Sequence, residues 1–203
     1  MPKIMIINYG LGNLRNVQRG LEAAGSKAWI TTERSGVEEA DAIILPGVGA
    51  FRDAIANLAP FKQALRDQVE SGVPLLGICL GLQLLYTQST EGGWYPGLDV
   101  LKGTILALPK GPKIPQIGWN TLKIVDAKNP LMNDVPDDAY AYFVHSYYAQ
   151  VDDEKDVVTT TRYSIDFPSI VSRKNVFATQ FHPEKSGKTG LKILKNFVAY
   201  VKR

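Results

Sequence analysis

The apolar run Val73-Pro74-Leu75-Leu76-Gly77-Ile78 feeds directly into a segment from Leu80 to Tyr86 that reads as a helix, with Cys79 alone at the junction. A buried strand that becomes a helix across one residue must turn tightly. Gly77 and Gly81 on either side let the backbone approach its neighbours without a Cβ in the way. This is the shape of a nucleophile elbow, with sulfur in place of the serine oxygen. The thiol is predicted to face a helix N-terminus, where partial positive charge favours the thiolate and the Leu80 N–H is left free to donate to a developing oxyanion. A lone cysteine is most often a small buried hydrophobe. A core cysteine, however, has no need of glycines at both i−2 and i+2.

A thiolate needs a base, and the chain offers two histidines, His145 and His182. His182 follows the run Asn175 to Phe181, whose β-branched and aromatic residues predict a strand, and precedes Pro183 and Glu184. In extended chain residues i and i+2 project to one side, which sets Glu184 beside His182, while Pro183 biases His182 towards the extended region. Cys79, His182 and Glu184 are therefore the candidate catalytic set. Imidazole takes the thiol proton, and the carboxylate selects the ring tautomer and stabilises the imidazolium. His145, within Tyr142-Phe143-Val144-His145-Ser146-Tyr147-Tyr148, reads as a packed or hydrogen-bonded strand residue near the site.

A second strand, Ala42-Ile43-Ile44-Leu45, stops abruptly at Pro46-Gly47-Val48-Gly49. Such a turn can aim N–H groups inward, and the peptide around Val48 and Gly49 is the candidate second oxyanion donor, worth on the order of 3 kcal/mol in a working site. Any parallel α/β protein also uses a strand-to-helix turn with glycines for topology alone. The Gly10-Leu11-Gly12 turn lacks the third glycine of a dinucleotide-binding fingerprint, because position 15 is Arg15.

Along the chain the order is strand, helix, strand, strand, helix, strand, helix. This alternation predicts an α/β fold with a mostly parallel central sheet flanked by helices. The first helix carries Leu14, Val17, Leu21 and Ala24 at helical spacing and stops at Gly25. Between Thr104 and Phe181 lies an additional strand-rich region, with candidate strands at Leu122 to Val125, Ala141 to Tyr148, Val157 to Arg162 and Ser169 to Ser172. Pro109 to Pro115 is expected to be a long loop, and Leu191, Leu194, Phe197, Val198 and Val201 mark a closing amphipathic helix. A length of 203 residues, 45% of them hydrophobic, suits one domain over 1–203. The net charge is only +3, from 23 basic and 20 acidic side chains, and no basic cluster argues for nucleic acid. One cysteine excludes an internal disulfide and fits a reducing, cytoplasmic setting. Ile4-Met5-Ile6-Ile7 is too short for a signal or membrane segment.

Gly77-Ile78-Cys79-Leu80-Gly81-Leu82-Gln83, His182-Pro183-Glu184 and Pro46-Gly47-Val48-Gly49 together resemble the class I, or triad, glutamine amidotransferases. Four further stretches look like the glutaminase subunits of imidazole glycerol phosphate synthases: Tyr9-Gly10-Leu11-Gly12-Asn13-Leu14, Gly49-Ala50-Phe51, Gly118-Trp119-Asn120 and Phe143-Val144-His145-Ser146-Tyr147. The resemblance spans essentially the whole chain. Asn8 stands where aspartate is more usual, and Ile117 where methionine is frequent; neither touches the candidate triad.

The resemblance implies that Cys79 attacks the side-chain amide of L-glutamine and that water then hydrolyses a γ-glutamyl thioester, with no cofactor and no metal. By the same likeness Gln83, Glu91, Ser146 and Tyr147 contact substrate, Glu91 near its α-ammonium. Ammonia would pass through a channel to a cyclase partner of (β/α)8-barrel fold in a heterodimer serving histidine biosynthesis, with Asn13, Trp119 and Lys185 at the interface. Stimulation by the partner is expected to act through rearrangement of Pro46 to Gly49. Other readings are a glutaminase of another synthase, a non-catalytic binding subunit of the same fold, and a cysteine peptidase.

Overall fold

Four short runs, β1 (Ile4–Ile7), β3 (Ala42–Leu45), β4 (Leu75–Ile78) and β13 (Val176–Thr179), are buried at every position. Apolar residues without alternation are what parallel strands covered on both faces require. In the computed structural model, which describes residues 2–203, these strands pair in parallel with each other and with β2 (Ala28–Thr31). Successive side chains point to opposite faces. Ile4, Ile6, Ile44 and Leu76 thus pack with Val17 and Leu21 of α1 (Leu14–Ala23) and with Ile193 and Phe197 of α6 (Gly187–Val201). Met5, Ile7, Ile43 and Leu75 face Val37 of α2 (Arg34–Glu38), Phe51 of α3 (Phe51–Asn57) and Leu65 of α4 (Lys62–Glu70).

The sheet continues in antiparallel through β12 (Ile165–Arg173), β11 (Val157–Tyr163), β8 (Gln116–Ile124) and β9 (Ala139–His145), giving the order β2-β1-β3-β4-β13-β12-β11-β8-β9. The strand-rich region therefore extends the central sheet, and the parallel part is the half that carries the elbow. A second sheet has the order β10 (Tyr147–Val151), β7 (Gly103–Ala107), β5 (Gln88–Ser89) and β6 (Tyr95–Pro96). No helix among the described residues is long and apolar enough to cross a membrane.

Three expectations change. The strand expected from Ala141 to Tyr148 is two strands in different sheets, broken at Ser146, where the Ser146 carbonyl accepts from Leu108 N at 2.9 Å. The strand expected through Phe181 ends at Thr179, whose hydroxyl donates to Phe181 O at 3.0 Å, a local bond that replaces the ladder. The helix after Cys79, α5, covers only Leu80–Leu84, because Leu98 N takes Leu84 O at 2.8 Å and Val100 and Leu101 N take Leu85 O at 2.9 Å.

At the elbow the chain has no room for side chains. A Cβ on Gly81 would collide with the Leu45 carbonyl oxygen at the end of β3, and one on Gly77 would lie 2.9 Å from Leu85 Cδ1 and 3.0 Å from Gly81 O. Overpacking of this kind forces backbone shifts. Gly81→Ala is expected to lower unfolding free energy by about 1–3 kcal/mol in a denaturant titration, and an unchanged midpoint would contradict the close packing.

Candidate active site

Cys79 has φ 55 and ψ −110, a conformation in which an L side chain is strained by about 1–3 kcal/mol. Its N–H donates to Thr179 O at 2.8 Å, as the last residue of β4 would, and its carbonyl accepts from Gln83 N at 3.3 Å, as a helix N-cap does. One residue thus serves both elements. The sulfur faces a cavity of about 280 Å³ that Val48, Gly49, Leu80, Gln83 and Glu91 line from one side and Val144, Ser146, Tyr147 and His182 from the other.

His182 is the N-cap of a short 3-10 turn, Pro183–Lys185, and this corrects the extended-chain argument for Glu184. The carboxylate reaches the ring because the chain turns back, not because alternate residues share a side. The Ser186 hydroxyl closes the turn by donating to His182 O at 2.7 Å. Glu184 Oε1 lies 2.8 Å from His182 Nδ1, with the two side chains 1% and 4% exposed. Occupation of Nδ1 leaves Nε2 as the ring nitrogen for Cys79. Burial pulls the His182 pKa down, but the hydrogen bonds and charges of Cys79 and Glu184 outweigh it and lift it to about 10. The ring is thereby poised as imidazolium beside sulfur. Glu184 Oε2 is buried without a hydrogen-bond partner among the described residues, so His182 is the group that compensates this carboxylate.

The thiol also lies 3.6 Å from Val144 O, and Gln180 Nε2 donates towards the sulfur at 3.9 Å. Gln180 Oε1 accepts from Gln83 Nε2 at 3.2 Å, and the same Gln83 nitrogen donates to Tyr147 O at 3.1 Å. The amide hydrogens of Gln83 are thus committed within the protein, leaving its carbonyl oxygen for a ligand donor. Gln180, fully buried, escaped the sequence reading. Its signal was the polar pair Thr179-Gln180 inside an apolar run.

Gly49 has φ 108, open only to glycine at low cost, and Val48, Gly49 and Leu80 all line the cavity. Tyr9 was also missed as a site residue. Its buried hydroxyl donates to Pro46 O at 2.7 Å, and burial, then the charge of nearby Cys79, raises its pKa well above the usual phenol value, keeping it a neutral donor. His145 is packed and hydrogen-bonded as expected, with Nδ1 2.8 Å from Tyr147 O and Nε2 2.8 Å from the Gln116 side-chain amide. Burial holds its pKa down at about 4, against the backbone bond to Tyr147, so the ring is neutral at physiological pH. Lys185 reaches the cavity wall. Asn13 caps α1 by position without a side-chain bond, and Trp119 is 56% exposed on β8; neither lines the cavity.

The sequence profile of the family described as Glutamine amidotransferase class-I matches residues 5–201. The imidazole glycerol phosphate synthase subunit HisH of Natronomonas pharaonis is 48% identical over 205 residues, covering 98% of this chain and 94% of that one. The subunit of the same name from Archaeoglobus fulgidus is 49% identical over 202 residues, covering 98% and 100%. The chain belongs to the class-I glutamine amidotransferase family and, within it, to the HisH family. Among solved structures, that of PurLQS from Thermotoga maritima superposes with a TM-score of 0.77 at 20% identity, over 98% of each chain. The glutaminase domain of Trypanosoma brucei CTPS with bound acivicin gives 0.71 at 16% identity, over 100% of this chain and 94% of that one. These last two likenesses bear on the fold alone.

Removing one partner of a buried pair leaves the other charge uncompensated. His182→Ala is therefore expected to cost about 3 kcal/mol of stability or more, and Cys79→Ser under 1.5 or about that, in parallel denaturant titrations. Equal losses would contradict the pairing. Because the folded pKa of His182 is raised, its contribution is complete below the ordinary histidine value of 6.5 and lost as pH climbs towards about 10. The stability gap between wild type and His182→Gln should narrow across that window, and a gap that widens would contradict the assignment.

Proposed function

We propose that this chain, acting as one domain, hydrolyses L-glutamine to glutamate and ammonia and delivers the ammonia to a cyclase subunit in the synthesis of imidazole glycerol phosphate. The observation that carries this reading is the buried His182–Glu184 pair, Nδ1 to Oε1 2.8 Å, with His182 and Cys79 lining one cavity of about 280 Å³. That volume has room for an amino acid.

In this reading the Cys79 thiolate adds to the γ-carbonyl of glutamine, forming the C–S bond as the carbonyl electron pair moves to oxygen. The oxyanion lies between Leu80 N–H and a donor from the peptide around Val48 and Gly49. His182 passes its proton to the departing nitrogen, and ammonia leaves as the carbonyl reforms. The neutral ring then draws a proton from water, whose oxygen attacks the thioester, and the proton returns as sulfur departs. Gln83 offers its carbonyl oxygen to substrate, Glu91 pairs with the α-ammonium, and Ser146 and Tyr147 contribute from their backbone at the cavity wall.

The relatives that share nearly half of this sequence are named as subunits, which supports a partner subunit; the proposal takes that partner to be a cyclase of (β/α)8-barrel fold in a heterodimer. An apolar surface on β8 and β9 favours the same partner: Ile117, Trp119 and Tyr140 are exposed there, and Trp119 packs edge-on against Tyr142 with ring centroids 5.7 Å apart. Lys185 at the cavity wall and the unused side chain of Asn13 complete the proposed contact. A reducing, cytoplasmic setting, which suits a free thiol, is part of the same proposal.

Glutamate release from L-glutamine, measured for wild type and Cys79→Ser with and without the cyclase and its substrate, tests the reading. Wild type should be slow alone and strongly stimulated in the complex, and Cys79→Ser should lose at least about 10³-fold. Hydrolysis indifferent to the cyclase would move the chain to another synthase, and none under any condition would overturn the glutaminase.

A further inference from the structure

Residues 46–50 connect β3 to α3 and carry the proposed oxyanion donor, and the turn is tied down at both ends. At its start Tyr9 Oη donates to Pro46 O at 2.7 Å. At its end Phe51 N, the first amide of α3, donates to Glu91 Oε2 at 3.0 Å. Between these ties neither Val48, Gly49 nor Ala50 is buried.

The second tie is unusual in origin. Helix N-termini need acceptors for their first N–H groups, and these commonly come from the N-cap side chain. Here the N-cap is Ala50, which has no side-chain acceptor. The first amide of the helix, which an N-cap side chain would not reach, takes its acceptor from forty positions away, a carboxylate that also lines the cavity holding Cys79. Phe51 itself is fully buried, so the amide that Glu91 meets is anchored in the core. One carboxylate thus has one oxygen on the end of the oxyanion turn and the other free to meet a cation in the cavity.

We propose that Glu91 is a positioning residue for the oxyanion turn as well as the acceptor of the substrate's α-ammonium, so that binding of the amino group at one end of glutamine tightens the donor at the other. This rests on the glutaminase reading above. A half-buried carboxylate with a neutral amide on one oxygen gains a cation on the other when substrate arrives, and a charge-assisted bond fixes it further. The fixed carboxylate holds Phe51 N–H, and with it the start of α3 and the setting of Gly49 and Val48. Without this acceptor the first turn of α3 is free to fray back into the turn.

Two substitutions separate the functions. Glu91→Gln keeps a carbonyl oxygen for Phe51 N–H but loses the charge for the ammonium, and Glu91→Ala loses both. In the cyclase complex, each variant should raise KM for glutamine about tenfold or more, because each lacks the charged partner. The glutamine variant, which keeps the bond to Phe51 N–H but loses the charge that tightens it, should lose kcat by about threefold, while the alanine variant should fall by a further tenfold or about that, as a displaced oxyanion donor demands. Alkylation of Cys79 by iodoacetamide, which needs neither the ammonium nor the oxyanion donor, should proceed at the wild-type rate in both.

Equal kcat values for the two variants, high or low, would overturn the proposal, because the cap would then carry no part of the effect. Alkylation slowed only in Glu91→Ala would also overturn it, by moving the effect to the nucleophile. A wild-type complex that releases no glutamate would instead sink the glutaminase reading itself. Equal kcat in active enzymes leaves that reading standing, so the two failures are told apart.

Discussion

The turn from β4 into α5 exists because the backbone there is packed against the end of β3 with no side chain between them. Gly81 meets the Leu45 carbonyl, Gly77 meets Leu85 and the Gly81 backbone, and Cys79 is left at φ 55 between them. The strain at Cys79 is held by the β4–β13 ladder on one side and the α5 hydrogen bond on the other. Everything chemical in the molecule is arranged around the sulfur that this turn presents. The Pro46 turn leaves β3 beside it, and His182 follows β13, which is the next strand over.

Electrostatics then acts over short distances inside a closed space. Glu184 and His182 are buried together, and the sulfur adds its own charge to the other side of the ring, so the imidazolium is favoured despite desolvation. His145, which has no carboxylate partner, is held down by burial and by the charge of His182, against its bond to Tyr147 O, and stays neutral. Two histidines of one chain are thus driven apart, His145 by burial and the charge of His182, and His182 by Cys79 and Glu184 overcoming burial. The Gln83–Gln180 pair extends the polar network to the far side of the sulfur and ties it to the Tyr147 carbonyl on β10, in the second sheet.

Much of this was legible in the sequence because it depends on local rules. Glycines around Cys79, a proline after His182 and unbroken apolar runs act within a few residues, and they point to the elbow, the candidate triad and the parallel strands. What was hidden depends on contacts between distant segments. The end of α5 is set by residues 98–101 taking its carbonyls, and the break at Ser146 by a strand that changes sheets. Glu184 was rightly paired with His182 but for the wrong reason, since a 3-10 turn and not extended chain brings them together. Gln180 acquires its place only once β13 lies beside β4, and Tyr9 only once β1 lies beside β3.

In the proposed reaction the sulfur of Cys79 carries the glutamyl group between ammonia release and hydrolysis. The direct measurement is rapid acid quench of the cyclase complex during turnover of isotopically labelled glutamine, followed by mass analysis of the peptide that contains Cys79. One γ-glutamyl group is expected on that peptide, formed on the timescale of turnover, labile to hydroxylamine and absent in Cys79→Ser. Glutamate release at the full rate with no adduct on Cys79, or with the label on another residue, would contradict the proposed reaction.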